Sequence, residues 1–161
     1  PCAVRHVRFA PAALFVSTPH IWEGISYKAI IANVDMVNHA TRRSASVGPL
    51  YLYFPQGDRR RFQELRLYIR PHPLSLPDMG QETVPGFCAL TCYHKGPFGH
   101  AEEAYEKIRA YARENALPLR GDSFERSVAD WWSTTNEEEF LLEIICPTKE
   151  ADPGGLPVRE F

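Results

Sequence analysis

No stretch of the sequence approaches the roughly 20 consecutive apolar residues that a membrane-crossing helix requires. No segment joins a basic start, an apolar middle and a small-residue cleavage site. No membrane partner is therefore expected, and cytoplasmic residence is the default. A net positive field is missing as well, because 18 basic against 20 acidic residues give a formal charge of −2. With nothing to gather phosphates, nucleic acid is not an expected partner. The four cysteines, Cys2, Cys88, Cys92 and Cys146, lack paired CxxC spacing and are too few for a disulfide framework, so they read as reduced thiols. Cys88 and Cys92 lie four apart on one face of an extended run and serve as small apolar residues. The histidines have no ligand spacing, so neither a metal nor another cofactor is expected. Ser/His/Asp spacing, a nucleophile elbow, a phosphate loop and HExxH are all absent, which removes most enzyme classes.

What is present is a chain of 161 residues with a 44% hydrophobic share, enough to bury the core of one domain. Val4 to Ser17 is apolar and β-leaning, with Pro11 interrupting it, so a broken strand is expected. Residues 22–43 place Ile25, Ala29, Ala32, Met36 and His39 or Ala40 near a 3.6-residue period, which predicts an amphipathic helix beginning at Trp22. Gly48-Pro49 punctuates, and LYLYF is extended. Arg59, Arg60 and Arg61 then mark a solvated hairpin tip, and FQELRLYIR is extended again.

The prolines between Pro71 and Pro85 make that stretch a connector that pairs poorly in a ladder. The pattern then restarts. GFCALTCYH at 86–94 is a strand, and Lys95-Gly96-Pro97 leads into a helix over about 98–115. Its inner face is Ala101, Ala104, Tyr105, Ile108 and Tyr111 or Ala112. Ser123 to Val128 and FLLEIIC at 140–146 are the last strands, and the Pro/Gly-rich tail reads as a loosely held end.

The expected fold class is therefore α+β, a duplicated β-α-β-β repeat with pseudo-twofold symmetry, antiparallel sheets, two main helices and a ligand cleft between the repeats. Repeat one is about 4–71, the connector 72–84, repeat two about 85–147 and the tail 148–161, all in one domain. Each half alone would leave a sheet face bare, and packing two copies buries it. The seam between structural units is where ligands bind.

The stretch CYHKGPFGHAEEAYEKIRAYARENALPLRGDSFERSV followed by NEEEFLLEIICP carries a resemblance. Its features are the Gly96-Pro97-Phe98 turn, the helix with Ala104-Tyr105 and Tyr111-Ala112, Glu125 before a loop, and Glu143 to Pro147. The chain resembles the GyrI-like small-molecule-binding family, whose domain is also the effector-binding part of multidrug-responsive bacterial regulators. The resemblance implies a pocket between the repeats for a bulky aromatic or cationic compound, with a buried carboxylate at the position of Glu125. Physical chemistry runs the same way: a carboxylate facing an apolar cleft is desolvated, and a cation ringed by aromatics supplies both counter-charge and cation–π attraction. Arg126 departs from the family, which usually has an aromatic there, and could partner Glu125.

Candidate ligand-binding residues are Glu125, Trp131, Trp132, Tyr53, Tyr51 and Trp22. Each aromatic has core packing as its alternative. Some family members are implicated in hydrolysing cyclopropane-bearing alkylating compounds; in that reading Glu125 is the catalytic acid or base. Two further alternatives are haem binding, with His39 as axial ligand, and a protein-interaction module. A regulator would need a helix-turn-helix, for which the chain leaves no room beside this domain, so a free-standing binder or a fragment is expected.

Overall fold

The computed structural model describes residues 3–16, 20–23, 46–55, 62–71, 81–129 and 133–161. The interrupted strand forms as β1 (Arg5–Phe9) and β2 (Ala12–Val16). They are followed by β3 (His20–Glu23), β4 (Ser46–Phe54), β5 (Phe62–Pro71), β6 (Gln81–Val84) and β7 (Phe87–Lys95). A 3-10 turn at Phe98–His100 leads into α1 (Glu102–Glu114), and β8 (Ser123–Ala129), β9 (Leu141–Pro147) and β10 (Val158–Arg159) complete the order.

The fold is α+β, with one sheet in the order β10-β1-β7-β9-β8-β4-β5-β2-β6 and β3 attached to β5. Neighbours pair antiparallel except β1 with β10. Among the described residues α1 is the one α-helix, and none is long and apolar enough to cross a membrane.

The break at Ala10-Pro11 hands the chain from one side of the sheet to the other, because β1 pairs with β7 whereas β2 pairs with β5 and β6. Proline has no N–H to give a ladder, so the break falls there. A second break, Pro85-Gly86, lies against the first. A Cβ on Gly86 would meet the Phe9 carbonyl oxygen at 3.0 Å and Pro11 Cδ at 3.1 Å, so this crossing needs a residue without a side chain.

Helix α1 has the inner face its period predicts: Ala101, Ala104, Tyr105, Ile108 and Ala112 are buried with Leu90, Cys92, Leu142, Ile144 and Cys146 of the sheet beneath. Outside, Lys107 pairs with Glu103 at 3.2 Å, and Arg109 bridges Glu102 at 2.8 Å and Glu106 at 2.5 Å. The other face of the sheet buries Val7, Phe9, Leu14, Tyr51, Phe87, Ala89, Phe124, Ile145 and Phe161.

Three expectations change. Trp22 does not begin a helix: His20 to Glu23 pair with β5, Trp22 opposite Gln63, since the β-favouring Ile21 and Trp22 precede the helical period that starts at Ile25. Residues 24–45, including His39, lie outside the described residues, as do the hairpin tip Arg59 to Arg61 and most of the connector. The connector's last residues do form a strand, β6 on β2, because Gln81 to Val84 contain no proline. The tail is not loose. Arg8 N–H donates to the Pro157 carbonyl and Ala10 N–H to the Arg159 carbonyl, both at 2.9 Å, and Phe161 is buried. The Pro/Gly composition describes the loop before this segment and says nothing of the aromatic that anchors it.

Candidate functional site

Strand β8 reads SFERSVA, and alternation separates Ser123, Glu125 and Ser127 on one face from Phe124 and Arg126 on the other. Glu125 lies between Leu52 of β4 and Ile144 of β9. Ile144 belongs to the layer under α1, so the Glu125 carboxyl is on the helix face, 1% exposed. Helix α1 delivers its buried phenol to this carboxyl. The Tyr105 hydroxyl donates to Glu125 Oε2 at 2.5 Å and lies 3.1 Å from Ser123 Oγ, from which it can accept. A short bond from a phenol to a carboxylate is charge-assisted and fixes both groups. The Arg109 guanidinium lies over the Tyr105 ring, 5.7 Å from its centroid.

Cys146, in the same layer, has its thiol pushed up to about 12 by burial. Arg109 opposes the shift, while the negative charges of Glu125 and Asp122 add to it. It stays a neutral thiol, in keeping with an apolar packing role. Cys88 and Cys92 are likewise buried.

The opposite face carries a second buried carboxylate. Glu143, 0% exposed, is forked by Arg159, Nη1 to Oε2 at 2.6 Å and Nη2 to Oε1 at 2.7 Å, and also takes Arg126 Nε at 3.0 Å. Arg126 Nη2 donates to the Tyr93 hydroxyl at 3.0 Å. Arg126 therefore turns away from Glu125 and serves Glu143, because consecutive strand residues point to opposite faces. Hydrogen bonding to Glu143, against the opposing effect of burial, raises the Arg159 guanidinium above its ordinary value.

Tyr51 and Tyr53 are on this face too, and the structure does not bring them to Glu125. Tyr51 is 1% exposed and meets Phe161 edge-on at 4.7 Å. Tyr53 packs on Phe124 at 4.6 Å and donates its hydroxyl to Asp122 Oδ2 at 2.9 Å, an acceptor also forked by Arg120. Trp22 is placed by its backbone in β3; Trp131 and Trp132 lie outside the described residues. The sequence reading missed the roles of Tyr105 and Ser123. The signal was there: a phenol on an inner face otherwise made of Ala101, Ala104, Ile108 and Ala112 must find a buried partner for its hydroxyl, and Ser123 is two residues before Glu125 on one strand.

Two pockets lined by described residues flank α1. One, of about 460 Å³, is bordered by His94, Lys95, Glu103, Lys107 and Leu141; the other, of about 440 Å³, by Arg109, Arg113, Leu117 and Leu119. Glu125 lines neither. His94 donates to the Pro97 carbonyl at 3.0 Å and so fixes the turn before α1. Among the described residues no group of three or more His, Cys, Asp or Glu side chains is arranged to hold a metal ion.

The pattern that defines the GyrI-like small molecule binding domain matches residues 24–149, most of the chain. The chain belongs to the GyrI-like family. No curated protein matches the sequence. Solved structures share the GyrI-like fold seen here. The EcmrR C-terminal domain superposes with a TM-score of 0.77 at 13% identity, over 93% of this chain and 99% of that one. A hydrolase from Listeria innocua gives 0.63 at 12% identity, over 91% and 92%. SAV2435 bound to tetraphenylphosphonium gives 0.51 at 16% identity, over 92% and 94%. Likeness at such identities establishes the fold alone. The GyrI-like domain is a small-molecule-binding domain, and Glu125 with Tyr105 is the buried polar pair on its helix face.

Proposed function

We propose that this GyrI-like domain binds and sequesters a bulky aromatic or cationic organic molecule on the helix face of the sheet, at the junction of β8 and β4, with Glu125 supplying the negative charge. One observation carries the reading: a 1% exposed carboxyl held at 2.5 Å by a helix tyrosine. A buried polar pair in an apolar layer costs stability unless it is used, and a cation with aromatic substituents repays the cost by charge and by ring contact. A tetraphenylphosphonium-bound neighbour of the same fold supports this ligand class.

The strand order supports a duplicated architecture with its seam at β8–β4. Exchanging β1 with β6, β7 with β2, β9 with β5 and β8 with β4 turns the path β1-β7-β9-β8-β4-β5-β2-β6 into itself. Chain order is preserved as well, β1, β2, β4, β5 corresponding to β6, β7, β8, β9, which supports one repeat over about 4–71 and a second over 81–147. The ligand would then lie between the repeats, where Trp131 and Trp132, just beyond β8, and Trp22 supply aromatic walls. Tyr51 and Tyr53 fall outside this pocket.

Hydrolysis of a cyclopropane-bearing alkylator is the second reading, favoured by the carboxyl–phenol pair as a proton-transfer couple and by a neighbour named a hydrolase. Titrating the chain's tryptophan fluorescence with tetraphenylphosphonium and with such an alkylator, then weighing the recovered ligand, separates the two. Saturable quenching with unchanged ligand mass is expected. A gain of one water would replace sequestration by catalysis, and no response to either compound would overturn both.

A further inference from the structure

One side chain of α1 belongs both to the buried pair and to a pocket. Arg109 lies four residues after Tyr105, one turn along the helix, and its guanidinium covers the Tyr105 ring at 5.7 Å from the centroid. It also borders the pocket of about 440 Å³ at the C-terminal end of α1, with Ala112, Arg113, Leu117 and Leu119. Glu125 meets the hydroxyl of Tyr105 and Arg109 meets its ring face, so a negative and a positive group are presented across a single phenol. Both charges bear on the Cys146 thiol, Glu125 adding to the rise that burial causes and Arg109 opposing it.

Among the described residues the Arg109 guanidinium is used on one nitrogen only. Nη1 donates to Glu102 at 2.8 Å and to Glu106 at 2.5 Å, whereas Nε and Nη2 donate to no described residue. The Nε–Nη2 edge is the pair of parallel donors that fits a carboxylate. Arg113, one turn further on, is exposed and forms no ion pair with a described residue. Glu102 and Glu106 hold Arg109 from the N-terminal side of the helix, and no acidic side chain lines the pocket on its C-terminal side. Bare helix carbonyls do not oppose an anion there, because the last turn is closed. Leu117 N–H donates to the Ala112 carbonyl at 2.9 Å, and Asn115 covers the Tyr111 carbonyl with its N–H at 3.0 Å and its Nδ2 at 2.9 Å.

We propose that this pocket is an anion-accepting subsite of the Glu125 site, and that the ligand is a zwitterionic aromatic molecule. Its cationic centre faces Glu125, and its carboxylate takes the open edge of Arg109 with Arg113 beside it. The inference rests on the reading of Glu125 as the residue that meets the cation, and adds the second charge. Tyr105 to Ala112 is seven residues, about 10 Å along the helix, a distance that a cationic head and a short carboxylate arm span. Arg109 is then the residue that sets specificity, since a cation without the carboxylate leaves its Nε–Nη2 edge to water. Tetraphenylphosphonium, which has no carboxylate, engages the Glu125 half alone.

Carboxybutyl-triphenylphosphonium and its methyl ester share one cation and differ in a single negative charge, so the ratio of their affinities isolates the subsite. Calorimetric titration of the full chain should show the free acid bound about ten-fold more tightly than the ester. Arg109→Gln should bring that ratio to about one, and Glu125→Gln should weaken both compounds. Arg113→Gln changes an exposed side chain outside the core and should lower the ratio about three-fold, the scale of a solvent-facing ion pair. Equal affinities in the parent, or a preference that survives both arginine changes, overturns the subsite. If Glu125→Gln still weakens both compounds in that case, the reading of Glu125 stands without it. Should Arg109→Gln not fold, an unchanged ratio in Arg113→Gln overturns the subsite by itself, and a parent that binds neither compound overturns both readings.

Discussion

Glu143→Ala is expected to lower the free energy of unfolding by about 3 kcal/mol, the lower end of the range for removing one partner from a buried ion pair. The carboxylate is 0% exposed and pairs with two guanidiniums that are themselves only 21% and 26% exposed. Deleting it strands both arginines against an aromatic layer and leaves the Arg159 fork and the Arg126 Nε–H without their acceptor. Partial solvation of the arginines keeps the cost from reaching the top of the range. At about 2–4 °C per kcal/mol for a chain of this size, the melting midpoint should fall by roughly 6–12 °C. Urea unfolding followed by circular dichroism checks this, and a variant within 1 kcal/mol of the parent would show that the triad is not structural.

Glu125→Gln should behave in the opposite way. The amide keeps an oxygen to accept from Tyr105, and a buried charge is replaced by a neutral group of the same shape, so stability is expected to hold or rise. Binding is expected to suffer: affinity for tetraphenylphosphonium should drop at least ten-fold, about 1.4 kcal/mol, because the cation loses its counter-charge in a water-poor site. Calorimetric titration of parent and variant reads both effects. Two glutamates on adjacent strands, each nearly inaccessible, would thus divide into one that holds the fold and one that serves the ligand. Equal affinity in parent and variant would remove Glu125 from the site.

The parts of this arrangement legible in the sequence were those with local causes. The 3.6-residue stripe from Ala101 to Ala112 announced α1 and its buried face, and Pro11 announced the break between β1 and β2; alternation in SFERSV also separates Glu125 from Arg126, although the expectation was that Arg126 could partner Glu125. What escaped was set by register and by distant partners. Tyr51 and Tyr53 share a strand face in any reading, but which face depends on β4 aligning Leu52, not Tyr51, with Glu125, and a slip of one residue would exchange them. The tail looked unattached because its hold on the sheet is an ion pair to Glu143 and a ring among Phe9, Tyr51, Phe87 and Phe124, none of them near in sequence. Strand β6 escaped because the prolines before it dominated the composition.

The central claim is that ligand and Glu125 share the helix face. Nuclear Overhauser contacts between the phenyl protons of bound tetraphenylphosphonium and the ring protons of assigned tyrosines test it most directly. Contacts to Tyr105, with none to Tyr51 or Tyr53, are the predicted result; contacts to Tyr51 or Tyr53 without Tyr105 would put the ligand across the sheet and contradict the account.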